Sequence, residues 1–113
     1  MRYVSTRDNS KEYSFEDVFI KGLADDGGLY VPKSLKKYSN QELLELKSLN
    51  YNELSTEIIN QFSSDFISKE ELSSLIKKSY STFREKEVVK ISSVSELKLL
   101  ELFHGPTLAF KDI

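Results

Sequence analysis

Apolar residues near the start of the chain recur every three or four positions, a spacing typical of an amphipathic helix. Four of them fall on one helical face: Phe15, Val18, Phe19 and Leu23. Ser14 and Asp17 form a variant of the capping box at its beginning, and this motif marks a helix N-terminus. The pattern therefore predicts a helix that starts after Ser14 and ends in the polar, glycine-containing segment 25–28.

Residues 39–83 repeat the helical spacing three times. Each candidate helix begins with Ser or Asn followed three positions later by Glu, which is the signature of a capped N-terminus. The three pairs are Ser39 with Glu42, Asn50 with Glu53, and Ser68 with Glu71. We interpret the apolar stripes of these helices as faces that pack into the core.

Strand-like patterns occur in two groups, which are residues 2–6 with 29–32, and residues 88–91 with 97–103. We expect the first two segments to pair with each other. The run from Leu99 to Phe103 is apolar except for Glu101, which predicts a mostly buried strand. The fold class is α/β, with an α-rich module and short strands over residues 1–85, followed by the start of a second domain over 86–113.

The C-terminal stretch predicts a strand, a tight loop and the start of a helix. Gly105 and Pro106 end the strand, and Thr107 is expected to cap the helix through its hydroxyl. Lys111 would then lie in the first helical turn, where the positive end of the helix dipole disfavours a cation. That field and burial beside Phe110 would favour the neutral amine, a nucleophile that forms Schiff bases. From spacing alone, a surface lysine is the commoner explanation.

Composition excludes several kinds of site. Sixteen basic and eighteen acidic side chains give a net charge of −2, so nothing suggests a nucleic-acid or membrane partner. The chain has no cysteine and one histidine, His104, which argues against disulfides and protein-only zinc sites. It has no signal peptide and no bilayer-length apolar run, so we expect a cytoplasmic protein. We interpret Asp25 and Asp26 as turn residues, not metal ligands.

Two separated motifs resemble one enzyme family. The segment from Leu99 to Asp112, which contains Phe-His-Gly-Pro-Thr-Leu-Ala-Phe-Lys-Asp, is similar to the segment of threonine synthase that carries its pyridoxal phosphate (PLP) lysine. Residues 1–7, 14–18 and 22–32 resemble the N-terminal module of that family, most specifically in Asp26-Gly-Gly-Leu-Tyr-Val-Pro32. Phe-Lys-Asp alone is shared by many PLP enzymes of fold type II. The combination is more specific and covers essentially the whole chain.

The resemblance implies a fold-type-II PLP lyase in which residues 86–113 begin the cofactor-binding catalytic domain. Threonine synthase converts O-phospho-L-homoserine and water to L-threonine and phosphate, the last step of threonine biosynthesis. Lys111 would hold the cofactor as a covalent aldimine and then act as a general acid–base, and Phe110 would pack near the cofactor. The expected partner is this small-molecule substrate. No metal is implied, and the oligomeric state is not readable.

The roles of three neighbouring residues stay open. Thr107 caps the helix or contacts the cofactor, and His104 borders the substrate phosphate or simply ends the strand. Asp112 orients Lys111 or is a solvated carboxylate in the first helical turn.

The resemblance covers only part of that family. The glycine- and asparagine-rich loop for the cofactor phosphate and the polar partner of the pyridine nitrogen are absent, and the sequence stops one turn into the predicted helix. We therefore expect a truncated enzyme that is inactive by itself. Its strand edges would be open to pairing with another chain. Two alternatives are a non-enzymatic helical interaction module and another fold-type-II PLP lyase or dehydratase.

Overall fold

Two small antiparallel sheets and four α-helices make up the fold, and the computed structural model describes every residue from Met1 to Ile113. This architecture confirms the α/β class. No helix is both long and apolar enough to cross a membrane. The elements in chain order are β1 (Tyr3–Ser5), α1 (Phe15–Lys21), β2 (Tyr30–Pro32), α2 (Asn40–Lys47), α3 (Tyr51–Ser63), α4 (Lys69–Tyr80), β3 (Lys90–Val94), β4 (Leu97–Glu101) and a C-terminal 3-10 turn (Phe110–Asp112).

The first sheet joins the start of the chain to residues 30–32. Strands β1 and β2 pair antiparallel with Tyr3 opposite Pro32, which confirms the expected pairing. Tyr3 also forms a bridge with Tyr13. The Tyr3 hydroxyl donates a hydrogen bond to the carbonyl of Phe62 at 3.0 Å. The sheet is therefore attached to α3 through a tyrosine whose ring is buried.

All four α-helices begin with a capping box, as predicted. In each box the N-cap side chain accepts the backbone N–H three residues on, and the carboxylate at that position accepts the N-cap N–H. The pairs are Ser14 with Asp17, Ser39 with Glu42, Asn50 with Glu53, and Ser68 with Glu71. These local contacts define where each helix starts.

The predicted end of α1 is wrong. The helix ends at Lys21 because Gly22 adopts a φ of 73°, a conformation that continues no right-handed helix. The Gly22 N–H still bonds to the carbonyl of Val18. Residues 25–28 instead form a separate turn before β2.

The core is small and is divided between the first sheet and the contact of α3 with α4. Only 11 of 113 residues are buried, among them Leu72 and Ile76 of α4, so the core-facing interpretation is confirmed for these two residues but not for Leu75, which is exposed. It is wrong for much of α2, where Leu43 and Leu44 are exposed. Helix α2 has no buried residue, and Leu46 is its only leucine that is partly covered.

The second sheet is a hairpin in which Lys90 lies opposite Glu101 and Val94 opposite Leu97. Two strands in this region were predicted, but β3 starts later and runs through residues 92–94, which the sequence indicated as linker. Val88 instead lies in a turn with φ of 64°, with its side chain buried. The predicted burial of β4 is wrong, since Leu99 and Leu100 are exposed.

Candidate functional site

Lys111 lies in the middle of the C-terminal 3-10 turn, not in an α-helix. The turn has three residues, and its N-cap, Ala109, makes no side-chain cap. A single turn has no aligned run of peptide dipoles comparable with that of a long helix. The Lys111 side chain is exposed, and its amine takes part in no hydrogen bond or ion pair. In this chain the amine is therefore accessible and is not buried beside Phe110.

Thr107 does not cap a helix. Its backbone N–H and its hydroxyl both donate to the carboxylate of Asp112, at 2.8 and 2.6 Å. The same hydroxyl accepts a long hydrogen bond of 3.4 Å from the N–H of Ala109. Asp112 is thus neither a solvated first-turn carboxylate nor an ion-pair partner of Lys111. It closes the loop that carries the lysine.

Gly105 lies directly against Asp112. It is buried, and a Cβ added to it would come within 2.8 Å of the Asp112 Cγ and closer still to two other atoms of that side chain. The Gly105 carbonyl also accepts the N–H of Leu108. The sequence indicated Gly105 only as the end of a strand, and its packing role was missed. The sequence signal that could have indicated it is the placement of Thr107 and Asp112 on either side of one turn.

His104 connects this loop to the hairpin and to the helical region. Its Nε2 lies 2.6 Å from the Oε2 of Glu101, and both side chains are largely buried. Hydrogen bonding from Ser92, and secondly from His104, lowers the pKa of Glu101. The His104 carbonyl accepts the N–H of Arg84 at 2.9 Å. The residue follows the strand end, as one alternative predicted, and a role beside a phosphate stays a prediction.

The residues around Lys111 fit one end of a carbonyl cofactor but not its phosphate. An accessible primary amine suits covalent attachment to a carbonyl carbon, and the exposed ring of Phe110 is next to it in the turn. The loop offers little for an anion, because the N–H groups of Thr107, Leu108 and Asp112 are all bonded within the loop. The placement of Phe110 near a cofactor stays a prediction.

The acidic pair after α1 behaves as turn residues. The Asp26 carboxylate accepts hydrogen bonds from the Gly28 N–H and the Ser5 hydroxyl, each at 2.8 Å. These two contacts, in that order, lower the pKa of Asp26. Asp25 pairs with Lys21 on the surface. Both carboxylates therefore have local partners that account for their positions.

Comparison with known proteins gives consistent matches. A family model described as "Threonine synthase N terminus" matches residues 2–80. The threonine synthase of Schizosaccharomyces pombe is 41% identical over 113 residues, which are 98% of this chain and 22% of that protein. Threonine synthase-like 2 of Pongo abelii is 41% identical over 115 residues, covering 100% of this chain and 24% of that protein.

The fold also matches a solved structure over nearly the whole chain. The crystal structure of PLP-bound threonine synthase from Brucella melitensis has a TM-score of 0.91 and 35% identity, over 99% of this chain and 24% of that one. The chain thus spans about a quarter of the length of the relatives it matches. With one family's model matching most of its residues, the chain belongs to the threonine synthase family.

Proposed function

We propose that this chain is the N-terminal part of a threonine synthase that binds PLP covalently through Lys111. The enzyme would convert O-phospho-L-homoserine and water to L-threonine and phosphate. The observation that carries the proposal is the place of Lys111 on a hydrogen-bonded loop of a chain that belongs to this family. The family match does not favour a stand-alone helical interaction module.

Being unpaired does not by itself distinguish Lys111 from other lysines. Several surface lysines are tied to carboxylates, as Lys33 is to Glu12, but others are free. What supports Lys111 is its place in a loop whose backbone is fixed at both ends. A fixed backbone limits the region that the amine can reach, which favours attack on a group bound there.

The chain's own residues would perform three tasks. The Lys111 amine would hold the carbonyl carbon of the cofactor, and after release it would move protons at the α and β carbons of the substrate. Phe110 would cover apolar surface of the bound group and exclude water. When bound, PLP supplies an electron sink for carbanions.

The domain boundary is part of the same proposal. Residues 1–85 would form the N-terminal module, and residues 86–113 would begin the catalytic domain, with the hairpin as its first strands. The phosphate of the cofactor would be bound outside these residues, because the loop N–H groups are used internally. The isolated chain is therefore expected to be inactive. Its cytoplasmic location stays a prediction.

Another fold-type-II PLP lyase or dehydratase is the second candidate. Relatives at equal identity have two names, threonine synthase and threonine synthase-like 2, so similarity to this chain does not fix the substrate. Phosphate release from O-phospho-L-homoserine by the full-length enzyme supports the first candidate. Activity on serine or threonine without phosphate release would support the second.

The attachment residue is tested by Lys111→Ala in the full-length enzyme, with Lys98→Ala as the matched control. Lys98 is also an exposed lysine, on strand β4, and its amine bonds only to Ser93. We expect Lys111→Ala to lower activity by at least about 10²-fold, because it removes both the attachment point and the proton carrier. Borohydride reduction and peptide mapping should find the cofactor on Lys111 in the control protein. A label on another lysine would refute the assignment.

A further inference from the structure

The carboxylate next to Lys111 has an unexpected set of partners. Asp112 directly follows the lysine, yet it does not pair with the amine. Its Oδ2 accepts the backbone N–H of Thr107 at 2.8 Å, and its Oδ1 accepts the Thr107 hydroxyl at 2.6 Å. A bidentate contact of this kind, with one donor to each oxygen, fixes the orientation of the carboxylate.

Gly105 completes the arrangement. The Asp112 side chain lies against the Gly105 backbone so closely that any Cβ would overlap it. The loop between them is folded by two further bonds, from the Leu108 N–H to the Gly105 carbonyl and from the Asp112 N–H to the Ala109 carbonyl. We call the contacts among Gly105, Thr107 and Asp112 the Asp112 clamp. It joins the two ends of an eight-residue segment.

Within residues 1–113, the clamp is the set of contacts that holds the backbone on either side of Lys111. The Lys111 side chain makes no hydrogen bond or ion pair, and the neighbouring Phe110 ring is exposed. A 3-10 turn of three residues does not hold its shape in water without other contacts. The backbone at Lys111 is therefore fixed by the residue that follows it.

We propose that Asp112 is a positioning residue for Lys111, which acts through Thr107 and Gly105 to hold the amine where it attaches to the cofactor. This inference rests on the proposed function, since it assumes that Lys111 binds PLP. The proposed action is through backbone geometry, because the Asp112 carboxylate bonds to Thr107 and makes no ion pair with the amine.

The test uses the full-length enzyme with three substitutions. Asp112→Asn keeps the shape but removes the charge, so the Thr107 hydroxyl must turn to accept from the new NH₂ group and a charged hydrogen bond is replaced by a neutral one. Thr107→Val removes the hydroxyl at nearly constant volume, whereas Thr107→Ser keeps it and is the matched control. We expect the first two to slow PLP attachment, measured by borohydride trapping, by about tenfold, the equivalent of one lost charged hydrogen bond. Thr107→Ser should stay within about twofold, as a retained hydroxyl keeps the bond.

A second readout does not require the cofactor. Amide hydrogen exchange of residues 107–112 in the cofactor-free enzyme should accelerate in Asp112→Asn and Thr107→Val, and should be unchanged in Thr107→Ser. In the loaded enzyme, kcat should fall while KM for the substrate is kept, because the clamp positions the amine and does not bind substrate. Circular dichroism and the thermal midpoint show whether each variant is folded.

The outcomes separate the two hypotheses. Wild-type attachment rates and exchange in both Asp112→Asn and Thr107→Val would overturn the positioning role. Should Asp112→Asn fail to fold, the contrast between Thr107→Val and Thr107→Ser decides alone. If trapped cofactor is absent from Lys111 in the unmodified enzyme, the proposed function fails instead. The exchange measurements would then report only on the loop.

Discussion

Asp26 shows how one side chain connects two distant parts of the chain. Its carboxylate binds the hydroxyl of Ser5, which is buried at the end of β1, and the N–H of Gly28 in the turn before β2. Gly28 tolerates no side chain, because a Cβ would overlap the Ser5 hydroxyl and lie 3.0 Å from the Thr6 Oγ1. Asp26 and Gly28 of this motif are therefore required by their contacts with the end of β1.

The lowered pKa of Asp26 gives a pH-dependent prediction. The ionised form is favoured in the folded chain, so its contribution is complete above the ordinary carboxyl pKa of about 3.9 and is lost as pH falls through the lowered folded value. Asp26→Asn should therefore lower the thermal midpoint at pH 6 and should change it little near pH 2. Asp25→Asn is the control, since Asp25 pairs only with Lys21 on the surface. A deficit in Asp26→Asn that is constant across this range would contradict the prediction.

At the scale of elements, signals within four residues predicted structure best. The capping boxes were predicted correctly because their two partners are three positions apart and need no tertiary contact. The end of α1 was placed too late because Gly22 was not given the positive φ that it adopts. Around Lys111 the sequence predicted a helix capped by Thr107. Both Thr107 donors instead bind the carboxylate of Asp112, which lies five residues after Thr107. The lysine itself was identified by resemblance and not by geometry.

The capping box of α4 is a local device whose contribution can be measured. Ser68→Ala removes the acceptor for the Glu71 N–H and should lower the free energy of unfolding by about 1 kcal/mol. Ser74→Ala is the control, because Ser74 is an exposed residue inside the same helix and alanine has the higher helix propensity. Chemical denaturation of both variants measures the difference. Equal stabilities would show that this cap contributes nothing.

At the scale of the whole molecule, burial was the property that the sequence predicted least well. The apolar pattern of β4 is that of a covered strand, and the hairpin carries apolar side chains on both faces, as in the Ile91–Leu100 and Val94–Leu97 pairs. These side chains are exposed in the chain. An apolar pattern indicates that a face of a strand is suited to burial. It does not say which residues cover that face. In a family whose members are about four times as long, the remaining residues are the expected cover.

If the rest of the enzyme covers the hairpin, one substitution there should have a small effect on the stability of the isolated chain and a large effect on that of the full-length enzyme. Leu97 is 67% exposed in this chain, so Leu97→Lys should change the unfolding free energy of the isolated 113 residues by no more than about 0.5 kcal/mol. It should also reduce binding of a hydrophobic dye and self-association, since it interrupts an apolar patch beside an open strand edge. In the full-length enzyme the same lysine would be buried without a partner and should cost at least about 2 kcal/mol. Each protein serves as the control for the other, and equal effects in both would mean that the rest of the enzyme does not cover this face.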